Sequence, residues 1–468
     1  MARPGDRIRH PIGGDGVLVA EVDGGRRWIV IFDATPSLQR IVPAHATRLL
    51  PPQEPAPPPR PARQDEATAA PGLLPPVTEP PPDARQALEA LRLGVVPASG
   101  LETLTVERDT EIATLGDLLR RERGMVLLAG AYGTGKTHLV ELAENHALRA
   151  GYLVARVSFD PEEVPPSHPL RLYRALAGQI RYPDGAGVGL RPLLERVADR
   201  PSHLEPAGKA FHRYLGPAAW AVAHADDVLA EDLLAWIEGA LPRSHRDLTG
   251  DLKRFGWRGP NLLALPDYRT FGQVMAHLLG GVAAWAQDAG WRGLAVLLDE
   301  AEYLDHLGST SREMATNVLK YLAFASLDPS VLPYREADVY RGGHAVHRSL
   351  STVYRTGQPL VVVCAFTPHP GIFDLLRRIS GDSVPILEIG TIEPGALGTL
   401  ADRILALYAR ARPDLDPPEG HRLALRSALT GAFRRGELET VRRAARTVVE
   451  FWDIYQVSPE RALAALGA

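Results

Sequence analysis

Residues 125–137 read M-V-L-L-A-G-A-Y-G-T-G-K-T, an apolar run that breaks into a glycine-rich turn and ends in Gly-Lys-Thr. The turn fits G-x-x-x-x-G-K-[ST] at Gly130, Gly135, Lys136 and Thr137, with a strand pattern before it and a helix pattern after it. A strand, an anion-binding turn and a helix in immediate succession commit the chain to an α/β fold with a parallel sheet. Each residue type has a physical reason. Glycines, Gly133 among them, let the backbone curl so that the N–H groups of Thr134 and its neighbours converge on phosphate oxygens. The following helix adds its positive end. Lys136 supplies a mobile charge for the β- and γ-phosphates, and the Thr137 hydroxyl is suited to ligate Mg²⁺. Lysine is scarce here: of 52 basic residues four are Lys (Lys136, Lys209, Lys253 and Lys320), and one stands where the pattern requires it. The competing reading, a turn that binds nothing, leaves that coincidence unexplained.

A nucleotide-hydrolysing site needs a second half that holds Mg²⁺ and activates water. W-R-G-L-A-V-L-L-D-E at 291–300 offers it: Asp299 closes a buried strand as a metal-side carboxylate, and Glu300 follows as general base. The apolar run Leu360–Phe366 ends in Thr367. A polar residue at that strand tip can hydrogen-bond the attacking water or the γ-phosphate, or else cap the next helix. Near the C-terminus, Arg442 and Arg446 stand four apart on one helical face. Arg442 is the candidate to reach the γ-phosphate, against the alternative of a solvated basic face. Arg335, Arg341, Arg348 and Arg355 are candidates for an arginine given to a neighbouring subunit, and nothing singles one out. His344 and His347 lack the companions of a zinc site.

Composition bounds the rest. With 468 residues and 45% apolar content the chain can bury a large core. A net charge of −4 gives no global polyanion-binding signal. The single cysteine, Cys364, excludes an internal disulfide and fits a reducing compartment. No apolar stretch approaches a membrane span, and the N-terminus lacks a signal-peptide core, so a cytoplasmic protein with no membrane contact is expected.

Four regions follow. Residues 1–50 alternate short apolar runs with Gly-rich turns, predicting a small all-β SH3/Tudor-like barrel. Its order G-D-R-I-R-H-P-I-G-G-D-G-V-L-V then W-I-V-I-F-D resembles the Tudor-like module of UvrD-type helicases, an adaptor for protein or nucleic acid. Residues 51–83 are a Pro-rich spacer. Residues 84–392 carry the α/β core, with strands expected at Tyr152–Phe159, Leu294–Leu298, Leu360–Phe366 and Val384–Ile389 and a helical insertion at about 165–290. Residues 393–468 read as a helical lid, its third helix expected over Glu437–Trp452.

Several segments together resemble the ATP-binding family of BREX (bacteriophage exclusion) systems: A-L-R-L-G-V-V-P-A-S-G-L-E-T-L-T-V-E-R-D-T-E, the loop G-A-Y-G-T-G-K-T, H-P-L-R-L-Y-R-A-L, G-W-R-G-L-A-V-L-L-D-E-A-E, and V-R-R-A-A-R-T-V-V-E-F-W-D. The resemblance spans 84–453. It implies an AAA+/STAND-like P-loop ATPase using ATP and Mg²⁺ within a bacterial anti-phage defence operon. Partners implied are other proteins of that operon, a helicase or DNA-modifying enzyme first among them, with DNA and self-association as further candidates. It also implies that Val96, Pro97 and Leu101 approach adenine and that Arg108 belongs to an N-terminal box of the site. Two positions depart from the family's pattern: Glu107 stands for a Gly before Arg108, and Val441 for a Pro before Arg442. Two functions compete, an ATP-hydrolysing remodeller and a slow ATP-dependent switch or scaffold.

Overall fold

A computed structural model describes residues 7–10, 14–22, 27–32, 39–43, 48–49, 82–95, 97, 101–241, 243–390, 392–438 and 440–466. Val96 and nearly all of the expected spacer lie outside the described residues. The chain divides into two compact units, residues 1–77 and 78–468.

The first unit contains β1 (Arg7–His10), β2 (Gly14–Val22), β3 (Arg27–Phe32), β4 (Gln39–Pro43) and β5 (Arg48–Leu49), antiparallel in the order β4-β3-β2-β1-β5. Ile8, Leu18 and Val30 are buried. A register irregularity between Leu18 and Ala20 bends β2 against β3. Among the described residues β4 and β5 are not paired with each other, so the sheet is present without the closure a barrel requires.

The second unit opens with α1 (Pro82–Leu93), α2 (Leu101–Leu104) and α3 (Asp109–Arg120). Then β6 (Gly124–Gly130) runs into α4 (Lys136–Arg149) and β7 (Leu153–Ser158). Seven helices follow: α5 (Pro169–Ala177), α6 (Arg191–Val197), α7 (Pro201–Leu204), α8 (Leu215–His224), α9 (Asp227–Ile237), α10 (His245–Arg254) and α11 (Gly272–Asp288). After β8 (Leu294–Asp299) come α12 (Ser309–Ser326) and α13 (Val346–Ser349), then β9 (Leu360–Phe366), α14 (Pro370–Ser380) and β10 (Ile386–Ile389). The C-terminal helices are α15 (Pro394–Ala411), α16 (Glu419–Arg434), α17 (Val441–Val457) and α18 (Pro459–Ala465).

Strands β6–β10 form one sheet in the order β10-β6-β9-β8-β7, with every pair parallel. Period-two alternation sorts its side chains into two cores. Met125, Leu127, Val296, Leu298, Val362 and Phe366 face one cluster, while Val126, Leu128, Leu297, Val361 and Val363 face the other. Burial on both faces is why these strands read as unbroken apolar runs. The inserted helices share the first cluster with the sheet, through buried residues such as Leu172, Leu215, Trp236 and Val282. They thicken one face of the core.

A third cluster joins the C-terminal helices to α1. Ala84, Leu88 and Leu91 bury against Leu400 and Ile404 of α15 and Val449 and Trp452 of α17. Arg92 donates twice to Asp453, Nε to Oδ2 and Nη2 to Oδ1, each at 2.8 Å, and the Tyr408 hydroxyl donates to Oδ1 at 2.7 Å. The lid thus draws on both ends of the second unit, where the sequence placed residue 84 onward in the sheet domain. Helix α17 starts at Val441, later than the expected Glu437, because Gly436 turns the chain at φ +75° and the Thr440 hydroxyl caps the helix by accepting the Arg443 N–H at 3.1 Å.

Candidate nucleotide site

Gly130, Gly133 and Gly135 give the loop its shape. A Cβ on Gly130 would lie 2.6 Å from the Thr134 hydroxyl and 3.1 Å from Lys136 Cγ. Gly133 has φ +81°, and a Cβ there would meet Thr440 Cγ2 at 2.3 Å, so lid and loop pack directly on each other. Gly135, at φ +100°, precedes α4, which has no side-chain cap. First-turn amides have no carbonyl partner inside their own helix, so this terminus is open to an anion. The Thr134 hydroxyl is spent on Ala131 O at 2.8 Å, which leaves its backbone as its contribution to a ligand.

Lys136 is buried and already engaged. Its Nζ donates to Gly130 O at 2.8 Å, Ala131 O at 3.2 Å and Thr367 Oγ1 at 3.0 Å. Burial lowers its pKa, opposed by the carboxylates of Glu302, Asp299 and Glu300. Because β9 lies between β6 and β8, Thr367 at its tip sits between the loop and the acids.

Asp299 is 2% exposed and accepts the Glu300 N–H at 2.9 Å and a hydrogen bond from Thr137. Burial raises its pKa. Glu300 is exposed and stands in the left-handed region at φ 59°, ψ 37°, a strained conformation for a residue with a side chain. Its pKa is raised by desolvation, then by Asp299 and Glu302. Thr367 does not cap α14; that position belongs to His369. Instead its N–H donates to Glu302 Oε2 at 3.0 Å and its hydroxyl to Glu302 Oε1 at 2.5 Å. Glu302 escaped the sequence reading, although its spacing of three from Asp299 within D-E-A-E was a signal.

A cavity of about 280 Å³ extends from these groups towards the lid. Its apolar wall includes Leu91, Leu104, Val106, Ile392, Leu400 and Ala445, and Pro97 lines it as well. His138 also lines it and was not anticipated: its Nε2 lies 2.7 Å from the Thr105 hydroxyl, and burial brings its pKa down to about 4. Arg442 is exposed on the cavity wall, whereas Arg446 pairs with Glu450 at 2.8 Å. Arg108 is 8% exposed, lines the cavity and braces the loop, donating to Thr134 O at 3.1 Å and Gly390 O at 2.8 Å. Glu107 occupies φ +51°, the conformation a glycine takes without strain, and its Oε2 accepts the Glu393 N–H at 2.8 Å. That bond ties the turn to the start of α15.

The donor set fits a magnesium triphosphate: an uncapped helix terminus, a lysine, and a hydroxyl–carboxylate pair of hard oxygen ligands. Residues 80–200 match the model of the family described as BREX system ATP-binding protein BrxC/D. That stretch holds the phosphate loop and about a quarter of the chain; Asp299, Thr367 and Arg442 lie beyond it. Curated proteins give no match. Among solved structures, the Walker-type ATPase PABY2304 of Pyrococcus abyssi is similar over 77% of this chain and 71% of its own, at 14% identity and a TM-score of 0.33. No helix among the described residues is long and apolar enough to cross a membrane. His347 is packed in the core with Nδ1 3.1 Å from Gln273 Oε1, and no metal-holding cluster of His, Cys, Asp and Glu occurs among the described residues.

Proposed function

We propose that the chain binds ATP with Mg²⁺ in this cavity and hydrolyses it, coupling closure of the lid to remodelling or assembly of a DNA-associated complex in a BREX-like anti-phage defence system. The observation that carries this is the meeting of Lys136 and Thr137 at a helix terminus with Asp299 and Glu300 at a strand tip around a single cavity, with Lys136 bonded to Thr367 at the tip of the neighbouring strand. Loop amides and Lys136 take the phosphates, and the apolar wall with Pro97 takes the base. The Thr137 hydroxyl and Asp299 would hold Mg²⁺, which neutralises charge on the transferring group. Glu300 accepts the proton of the attacking water as its oxygen bonds to the γ-phosphorus and the bond to the β-phosphate oxygen breaks, leaving ADP and phosphate. Arg442 contributes charge from the lid. Residues 1–50 serve as an adaptor for a helicase or DNA-modifying partner in the cytoplasm, a role consistent with the separate antiparallel sheet.

A slow switch is the second reading, favoured by the three protein acceptors of Lys136 Nζ with which a phosphate has to compete. Phosphate release decides between them. In the Glu300→Gln variant ATP should still bind while kcat falls about 10²- to 10³-fold. In the wild type the acid limb of kcat should lie above the ordinary carboxylate range, because the base works only when deprotonated and its pKa is raised. Absence of turnover with DNA and partner present would leave the switch.

A further inference from the structure

The hydrogen bonds around Thr367 have a direction. A hydroxyl carries one proton and two lone pairs. Thr367 directs its O–H to Glu302 Oε1 and its N–H to Glu302 Oε2, so both donors are consumed by one carboxylate. What remains towards the phosphate loop is acceptor capacity, used by Lys136 Nζ at 3.0 Å. A triphosphate oxygen is also an acceptor and has nothing to offer such a group, whereas a water does.

We propose that Glu302 is a positioning residue that fixes Thr367 as a hydrogen-bond acceptor, so that Thr367 latches Lys136 in competition with phosphate oxygens and, where they take it, orients the attacking water rather than the γ-phosphate. The proposal rests on the hydrolysis reading above and refines it. When a triphosphate enters, Lys136 exchanges Thr367 for phosphate oxygens, and the vacated lone pair is left to hold a water for Glu300. Glu302 and Thr367 lie 65 residues apart and reach each other through the turn Ala301–His306 that follows β8. Two rivals make different predictions. If Thr367 donated to the γ-phosphate, removing its hydroxyl would weaken ATP binding. If Glu302 were only a countercharge for Lys136, removing its charge would alter affinity and spare turnover.

The test uses the full chain with Mg²⁺, a fluorescent ATP analogue for affinity and steady-state phosphate release for kcat. Thr367→Val and Glu302→Gln should each lower kcat about tenfold or more. The same variants should bind the analogue about two- to fivefold more tightly, because Lys136 has one partner fewer to leave. The double variant should be no slower than the slower single one, and Thr367→Ser, which keeps the hydroxyl, should recover most of the rate. Wild-type kcat in Glu302→Gln, multiplying losses in the double variant, or weaker binding by Thr367→Val would each overturn the proposal. If the wild type itself releases no phosphate, the hydrolysis reading fails on that result alone. The binding arm then decides the latch: tighter binding by Thr367→Val upholds it, and equal or weaker binding overturns it.

Discussion

The two ends of the cavity are built differently. At the phosphate end, Asp299 and Thr367 stand at the tips of parallel strands whose interiors are almost wholly buried, Lys136 opens the helix that follows a third such strand, and each is hydrogen-bonded. At the other end the wall comes from α1, α15, α17 and the segment after α2, a cluster with its own apolar core. The junction between them includes the contact of Gly133 with Thr440 and the bond from Glu393 N–H to Glu107. A ligand spanning the cavity therefore joins two separately packed bodies. Under the proposed function the phosphate end sets whether it binds, and the lid end reads whether it is there.

Three experiments break or sharpen that contrast. Lys136→Ala should have the largest effect, lowering ATP affinity by about 100-fold or more in equilibrium binding, since it removes the buried cation of the rigid end. At the lid end Arg442→Ala should lower kcat/KM by about tenfold, while Arg446→Ala, whose partner is Glu450, should stay within about twofold. Equal losses from the two would mean that the lid face acts as a general basic surface. The smallest effect is on stability. Asp299 has a folded-state pKa raised above its unfolded value, so the cost of burying its charge is absent in acid and grows as pH rises through the folded pKa. Asp299→Asn removes that cost and should raise the nucleotide-free melting temperature by about 1–2 °C at about pH 8, with no difference near about pH 3. A fall in melting temperature at pH 8 would show that the buried carboxylate supports the fold.

The contrast also separates what was legible in the sequence from what was not. Strands β6, β8 and β9 announce themselves because burial on both faces demands uninterrupted apolar runs, and the loop because phosphate binding demands glycine and lysine at fixed spacing. Asp299 and Glu300 follow from standing at the end of such a run. Glu302 does not, since its partner Thr367 lies on another strand and only the sheet order brings them together. The place of α1 was hidden for a similar reason: an amphipathic helix shows that one face is buried without showing against what. Glu107 was legible as a departure from a family's glycine, but its compensating bond to Glu393 is 286 residues away in sequence.

The salt bridge from Arg92 to Asp453 spans 361 positions, and this has a consequence during synthesis. Helix α1 leaves the ribosome with Ala84, Leu88 and Leu91 uncovered, and the surfaces of α15 and α17 that cover them are made only after the whole intervening core. At about 5–20 residues per second the delay is on the order of 20–70 s. For that interval the nascent chain carries an uncovered apolar stripe, and a phosphate loop with no roof.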